Sequence, residues 1–232
     1  MITKAMILAA GFGTRIHPLT LEHPKPLLEI GNETLLSNTI KFLKLFGIKK
    51  IVINVHYLEE KIVQYIKKKN FNSDIKVIKE KGKILDTGGG ILNAIENFSN
   101  EPFLVINPDT IWSSSYLEEI KLMEKKFFEN KKRKCSLLVV NKKKSFDESI
   151  KGDFSLENDL IKRNDKNKLN YIYTGTQIIH PEVFKGLADK VFSMNKIWNK
   201  LIENKELYGM ESHNIFFHVS TLDAYNKLKK KF

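Results

Sequence analysis

The first half of the chain alternates short apolar runs with stretches whose apolar residues recur at helical spacing. The apolar runs predict buried strands at residues 5–8, 51–55, 75–78, 103–106 and 136–140, of which 103–106 reads as a central strand. The helical spacing predicts helices at 36–46, with Gly47 as the stop, at 58–66, at 88–95 and at 116–127. This alternation is typical of a mostly parallel, Rossmann-like sheet with helices on both faces, so we expect an α/β fold.

The second half is less regular, and its stretch 141–170 is polar and broken. The predicted elements are strands at 153–156, 160–162 and 171–179, short helices after Pro181 and Met194, a strand at 215–219 and a helix from Thr221. Neither a repeat nor a flexible linker interrupts the sequence. We therefore predict a single domain over residues 1–232, whose sheet carries inserted β-hairpins.

Composition narrows the class of protein. The 232 residues are 42% hydrophobic, yet they contain no run of about 18 apolar residues, so we expect no membrane span. The N-terminus leads directly into the first strand without a secretory apolar segment, which predicts a cytoplasmic protein. The single cysteine, Cys135, excludes an intramolecular disulfide framework and a multi-cysteine zinc site.

The net charge of +12 comes largely from scattered basic runs. These runs lie at 67–69, 131–134, 142–144 and 229–231. They are not interleaved with aromatic residues and match no nucleic-acid motif, so we interpret them as solvated faces and expect no nucleic-acid partner. The positive charge still favours the approach of anionic substrates.

A glycine-rich segment directly after the first strand carries the clearest chemistry. Gly11 and Gly13 allow backbone N–H groups to approach a phosphate, and Arg15 adds a planar fork of donors. Lys25, between two prolines, adds a point charge. A third glycine of the dinucleotide fingerprint and the Gly-Lys-Ser/Thr of a P-loop are both missing. The alternative is that these residues form only a tight turn beside a surface lysine. The combination of the two glycines with the arginine and the lysine favours a polyphosphate site instead.

Other polar residues follow the predicted parallel strands, whose carboxyl ends form the usual ligand edge. Asn54 and His56 lie at the carboxyl end of the second strand, and we interpret His56 as an ordinary loop histidine. Asn107 and Asp109 follow the fourth strand. Asp109 is a candidate Mg²⁺ ligand that would share the ion with substrate phosphates, and the alternative is a capping aspartate.

The segment G-x-G-T-R followed by P-K-P resembles the signature of the sugar-1-phosphate nucleotidyltransferases, and the likeness extends over nearly the whole chain. It implies a glycosyltransferase-A-like nucleotidyltransferase fold that makes an NDP-sugar and pyrophosphate from an NTP and a sugar 1-phosphate, with Mg²⁺. The nucleotide would be bound in the half at about 1–140 and the sugar at about 141–232. The resemblance implies these roles: Arg15 and Lys25 catalytic; Ala10, Gly11, Gly13, Thr14, Gly88 and Asn107 nucleotide-binding; Asp109 metal-binding.

The remaining motifs bear on the sugar. Residues 152–154 and 173–175 resemble sugar-side segments, which makes Asp153, Thr174 and Gly175 sugar-binding candidates. Within the family the motifs are most similar to the bacterial N-acetylmuramate 1-phosphate uridylyltransferases of cell-wall recycling, which implies UTP and N-acetylmuramate 1-phosphate. Mannose-1-phosphate guanylyltransferase and glucose-1-phosphate transferase activities stay open, and so does a choline-phosphate cytidylyltransferase.

One departure concerns the metal. Members of the family usually carry a second metal-binding aspartate where this chain has His218, and Pro108 stands where a small residue is common. Imidazole is a poor ligand for Mg²⁺. Three interpretations follow: Asp109 and the phosphates hold the ion alone, His218 contacts a phosphate, or activity is weakened and the protein is a nucleotide- or sugar-binding regulator.

Overall fold

A nine-stranded sheet forms the centre of the computed structural model, which describes residues 1–163 and 169–232. Its strands are β1 (Lys4–Leu8), β4 (Lys50–Val55), β5 (Asp74–Lys79), β6 (Phe103–Ile106), β7 (Cys135–Asn141), β8 (Ser155–Glu157), β9 (Leu160–Lys162), β10 (Tyr171–Ile179) and β11 (Leu207–Ser212). β2 (Glu29–Ile30) and β3 (Glu33–Thr34) form a separate hairpin.

The strand order is β5-β4-β1-β6-β10-β7-β11-β9-β8. β5, β4, β1 and β6 pair in parallel, β10 is antiparallel to both of its neighbours, and β11 is parallel to β7. The β8–β9 hairpin is attached at the edge. The sheet is therefore mostly parallel with an inserted hairpin, and the expected α/β class and the central position of β6 are confirmed.

Helices cover both faces of this sheet, as the alternation in the sequence predicts. They are α1 (Leu19–Glu22), α2 (Leu35–Phe46), α3 (Glu59–Lys69), α4 (Asp86–Ala94), α5 (Ser115–Glu129), α6 (Asn195–Glu203) and α7 (Leu222–Lys231). Ile7 of β1 belongs to a buried cluster with α2, α3 and α5, whereas its neighbour Met6 belongs to a cluster with α4 and α6. Successive strand residues point to opposite faces, so one strand anchors both layers.

Local signals fix the ends of several helices. The Thr34 side chain accepts a hydrogen bond from the Ser37 N–H and begins α2, and Gly47 ends it with a φ of 102°. Thr221 caps α7 in the same way by accepting from the Ala224 N–H. α4 begins at Asp86, two residues before the predicted start.

One prediction for the second half is wrong, and one strand was not predicted. The expected strand at 215–219 is not a strand; Phe216 and His218 form only isolated bridges, to Ser145 and Thr110. The actual strand is β11, which the sequence analysis missed because a glycine interrupts its apolar pattern. A Cβ at Gly209 would overlap Ile161 Cδ1, so any larger residue there would force the Ile161 side chain to move.

Part of the irregular stretch predicted at 141–170 cannot be compared, because residues 164–168 lie outside the described residues. Within residues 1–163 and 169–232, no helix has both the length and the apolar character needed to cross a bilayer.

Candidate functional site

A cleft of about 420 Å³ lies at the carboxyl ends of β1, β4 and β6. Eight residues with predicted roles line it: Ala10, Gly11, Gly13, Thr14, Arg15, Lys25, Asn107 and Asp109. They come from three separate segments of the chain, which the parallel strands bring to one edge of the sheet.

The two glycines of the first loop have different structural roles. Gly13 has a φ of 67°, and a Cβ there would lie 3.0 Å from Thr20 Cγ2 and 3.2 Å from Lys25 Cβ. The Thr20 hydroxyl also donates to the Gly13 carbonyl at 2.8 Å. A Cβ at Gly11 would meet nothing within 4 Å, so that side of the loop is open to a ligand. Gly13 is thus needed by the turn, whereas Gly11 leaves room in the cleft.

Lys25 and Asp109 form an ion pair inside the cleft. Lys25 Nζ donates to Asp109 Oδ2 at 2.5 Å, and the two side chains are 14% and 18% exposed. His218 Nε2 lies 3.2 Å from the same oxygen. Burial acts to raise the pKa of the Asp109 carboxyl, but Lys25 and His218 outweigh it and hold that pKa well below its usual range. Asp109 is therefore ionised at neutral pH.

Backbone pairing brings His218 to Asp109 across the chain. The Val219 N–H donates to the Asp109 carbonyl at 2.8 Å, and the Ile111 N–H donates to the Phe217 carbonyl at 2.9 Å. The His218 ring stacks on Phe216 with centroids 5.4 Å apart. Main-chain hydrogen bonds and the packing of the ring on Phe216 thus hold residue 218 in place. The contact between its side chain and Asp109 is a further interaction.

The sequence analysis gave no role to a buried network beneath the glycine loop. The Ala9 N–H donates to Asn54 Oδ1 at 3.0 Å, and Asn54 Nδ2 donates to Glu80 Oε1 at 2.7 Å. The other Glu80 oxygen accepts from the Leu85 N–H at 2.8 Å, and Glu80 is only 3% exposed. This network joins the glycine loop to the segment that precedes α4.

A glycine inside α4 was the one sequence signal for this network. A Cβ at Gly90 would lie 2.8 Å from both Asn54 Nδ2 and Glu80 Oε1. Glycine is unfavourable inside a helix, so its presence there indicates a close approach of other atoms.

Gly88 lies outside the cleft, although the resemblance implied a nucleotide contact. A Cβ at Gly88 would overlap the Phe192 ring, and the Gly89 N–H donates to the Phe192 carbonyl at 2.9 Å. Its neighbours Asp86, with a φ of 60°, and Thr87 line the cleft instead. The glycines allow α4 to pack closely, and this packing brings the first turn of α4 to the cleft.

The three sugar-side candidates do not line the cleft either. The Thr174 hydroxyl is buried and donates to the Leu138 carbonyl at 2.8 Å. Gly175, with a φ of 91°, accepts the Asn107 N–H at 2.7 Å and thereby positions Asn107. Asp153 is exposed and accepts the Tyr173 N–H at 3.0 Å. Of these, Gly175 has the most direct connection to the site.

Comparison with known proteins identifies the family of the chain. The sequence model of a family described as nucleotidyl transferase matches residues 4–147, which is more than half of the 232 residues. The chain belongs to the nucleotidyl transferase family.

Its relatives act on several sugars. This nucleotidyl transferase is 28% identical to N-acetylmuramate alpha-1-phosphate uridylyltransferase of Caulobacter vibrioides, over 95% of its own length and 93% of that protein. It is 26% identical to a mannose-1-phosphate guanylyltransferase catalytic subunit beta of Drosophila pseudoobscura pseudoobscura, but spans only 57% of that protein. The fold matches HddC from Yersinia pseudotuberculosis, complexed with GMP-PN, with a TM-score of 0.78 at 22% identity and full coverage of both chains.

The site of this nucleotidyl transferase offers little to a metal ion beyond Asp109. Asp109 Oδ1 is buried and has no hydrogen-bond partner among the described residues. The same residues contain no group of three or more His, Cys, Asp or Glu side chains that could hold an ion. Mg²⁺ is commonly held by one or two carboxylates together with substrate phosphates and waters. Asp109 lines the cleft and has one carboxylate oxygen without a partner among the described residues, which fits that manner of binding.

Proposed function

We propose that the protein catalyses transfer of a uridylyl group from UTP to N-acetylmuramate 1-phosphate in the cytoplasm, as part of cell-wall recycling, and releases pyrophosphate. The observation that carries the reaction class is the partly buried Lys25–Asp109 pair, which lies in the cleft beside the glycine loop and Arg15. The choice of substrates is supported by the Caulobacter relative, which matches along almost its entire length.

The reaction needs positioning and charge neutralisation, with no covalent intermediate on the protein. An oxygen of the sugar phosphate attacks the α-phosphorus; a new P–O bond forms there, and the bond to the pyrophosphate oxygen breaks. The backbone from Ala10 to Thr14 would hold the triphosphate, and Arg15 would neutralise the leaving phosphates. Lys25 would bridge the α-phosphate and the incoming sugar phosphate.

Asp109 would hold Mg²⁺ through Oδ1, and the ion would supply further charge neutralisation to the phosphates. Lys25 and His218 both contact Oδ2, and Oδ1 has no hydrogen-bond partner among the described residues. Asn107 and Asp86 line the same cleft and are candidates for contacts to the nucleoside.

The test is pyrophosphate release with Mg²⁺ across four nucleoside triphosphates and a panel of sugar 1-phosphates. We expect the largest rate with UTP and N-acetylmuramate 1-phosphate. A largest rate with GTP and mannose 1-phosphate would refute the substrates but keep the reaction class. Silence across the panel, with a folded protein that binds a nucleotide, would refute the reaction and favour a regulatory binding protein.

Substitutions at the site can be compared with a control substitution elsewhere on the surface. Lys25→Ala and Arg15→Ala should each lower kcat by about 10²–10³-fold, because each removes a donor aimed at developing charge. Lys121→Ala is the matched control, since Lys121 is exposed on α5 and forms an ion pair with Glu118 on the same helix. Near-normal rates for both site variants would refute the assigned roles.

A further inference from the structure

An exposed aromatic side chain lies in the middle of the glycine loop. Phe12 stands between the two glycines, is 43% exposed and lines the cleft. The hydrogen bonds that hold the loop lie on either side of it. The Ala9 N–H donates to Asn54 Oδ1, and the Gly13 carbonyl accepts from the Thr20 hydroxyl. Because glycine leaves the backbone on both sides of Phe12 conformationally free, another contact is needed to order this part of the loop.

The ring of Phe12 supplies such a contact. It lies edge-to-face on the His56 ring, with centroids 5.9 Å apart, and tilted on the Tyr57 ring, with centroids 5.4 Å apart. Both partners are themselves held by the main chain. His56 Nδ1 donates to the Glu80 carbonyl at 2.9 Å, and the Tyr57 hydroxyl donates to the Leu21 carbonyl at 3.3 Å. We call Phe12, His56 and Tyr57 the aromatic clamp.

The aromatic clamp joins the cleft to residues behind it. Phe12 lines the cleft, whereas His56 and Tyr57 do not. We propose that the aromatic clamp holds the glycine loop in its triphosphate-binding conformation before the nucleotide binds, and that Tyr57 is a positioning residue that acts through Phe12. This inference rests on the proposed function, because it assumes that the loop binds a triphosphate. A loop that must be ordered during binding lowers the affinity, so a loop ordered beforehand binds more tightly.

This role differs from a direct contact between Phe12 and the nucleobase. A ring that stacks on a base affects only ligands that carry a base. A ring that orders the loop backbone affects every ligand whose phosphates that backbone holds. Inorganic tripolyphosphate carries the phosphates without a base, so it separates the two roles whichever nucleotide is the substrate.

The experiment is calorimetric titration of tripolyphosphate, and separately of UTP, into the wild type, Phe12→Ala, Tyr57→Ala and the double variant. We expect each single substitution to weaken tripolyphosphate binding by about three- to tenfold, the range for loss of an aromatic contact that orders a binding loop. UTP binding should weaken by the same factor. The double variant should bind no more weakly than Phe12→Ala, because Tyr57 acts through Phe12.

Two controls accompany these variants. Tyr57→Phe keeps the ring and should bind tripolyphosphate as the wild type does. Phe128→Ala removes a ring that is 46% exposed and contacts a neighbouring ring on α5, and it should also leave binding unchanged. Circular dichroism establishes that each variant is folded. Phe12→Leu, which keeps an apolar side chain, should bind with intermediate affinity.

Two further measurements distinguish positioning from a general loss of structure. Amide hydrogen exchange of residues 10–14 in the ligand-free protein should be faster in Phe12→Ala and Tyr57→Ala than in the wild type. In turnover, KM for the nucleotide should rise in both variants while kcat stays within about twofold of the wild type, because the loss is one of uniform binding.

Three results would overturn the inference. The first is unchanged tripolyphosphate affinity in Tyr57→Ala. The second is a loss of affinity for UTP but not for tripolyphosphate in Phe12→Ala, which would make Phe12 a contact to the nucleoside. The third is no binding of tripolyphosphate to the wild type. The titrations need no turnover, so an absence of pyrophosphate release would refute the proposed function while the titrations still decide the role of the aromatic clamp.

Discussion

Removal of the Glu80 carboxylate should destabilise the protein more than removal of a carboxylate on the surface. Glu80 is 3% exposed and accepts hydrogen bonds from Asn54 Nδ2 at 2.7 Å and from the Leu85 N–H at 2.8 Å. Glu80→Ala removes two bonds to a charged group, each of which contributes about 1.5–3 kcal/mol, and leaves the buried Asn54 amide and the partly buried Leu85 N–H without their acceptor. We expect the free energy of unfolding to fall by about 3–5 kcal/mol.

Glu80→Gln should cause a smaller loss of stability than Glu80→Ala. The amide keeps the volume of the side chain, and its oxygen can accept from one donor while its NH₂ group faces the other. We expect a smaller loss of about 1–3 kcal/mol for this variant, the cost of one unsatisfied pair. In urea denaturation at neutral pH, the free energy of unfolding should increase from Glu80→Ala to Glu80→Gln to the wild type.

Glu118→Ala provides the matched control. Its side chain is 83% exposed and pairs with Lys121 one turn along α5, so its removal should change the free energy of unfolding by less than about 1 kcal/mol. Glu80 also ties Leu85 to Asn54 and hence to Ala9, so Glu80→Gln should raise KM for the nucleotide more than it lowers kcat. Two results together would show that the network supports neither the fold nor the cleft. These are a loss of less than about 1 kcal/mol in the free energy of unfolding of Glu80→Ala, and an unchanged KM for the nucleotide in Glu80→Gln.

Three further predictions concern single residues. Gly88→Ala should lower the melting temperature because its Cβ overlaps Phe192, whereas Gly11→Ala should leave it unchanged, and equal melting temperatures would contradict this packing. Burial raises the pKa of the Cys135 thiol, so the native protein should resist a thiol reagent that labels the urea-unfolded chain at once; rapid native labelling would contradict its burial. Because the pKa of Asp109 lies below its usual range, its ionised form contributes stability above the unfolded value near about 4, and this contribution is lost as the pH falls. The difference in free energy of unfolding between wild type and Asp109→Asn should therefore shrink below about pH 5, and a difference independent of pH from 7 to 3 would refute the lowered pKa.

The parts of the fold and site that the sequence predicted depend on local or periodic signals. Strands β1 and β6 are continuous apolar runs, and the residues that follow them reach the cleft because parallel strands end at one edge. Gly13 and Lys25 could be identified together because they are close in sequence, and the structure packs the Lys25 side chain against Gly13.

The parts that were missed depend on contacts between distant segments. Glu80 looks like one more charged residue at the end of a strand, and only the approach of Asn54 and Leu85 shows that it is buried. Thr174 matches a sugar-side motif, yet the bulge in β10 turns its hydroxyl to the Leu138 carbonyl. A short motif gives no direction for a side chain in an irregular strand, so its role could not be derived from the sequence.

The segment that carries His218 shows why a residue beside Asp109 can change while the site is preserved. Its main chain is held by hydrogen bonds from the Val219 N–H to the Asp109 carbonyl and from the Ile111 N–H to the Phe217 carbonyl, and neither bond depends on the side chain at 218. Lys25 reaches Asp109 from a different segment and keeps Oδ2 engaged. Because the position of residue 218 and the Lys25–Asp109 ion pair are fixed independently, the side chain at 218 can change without moving Asp109.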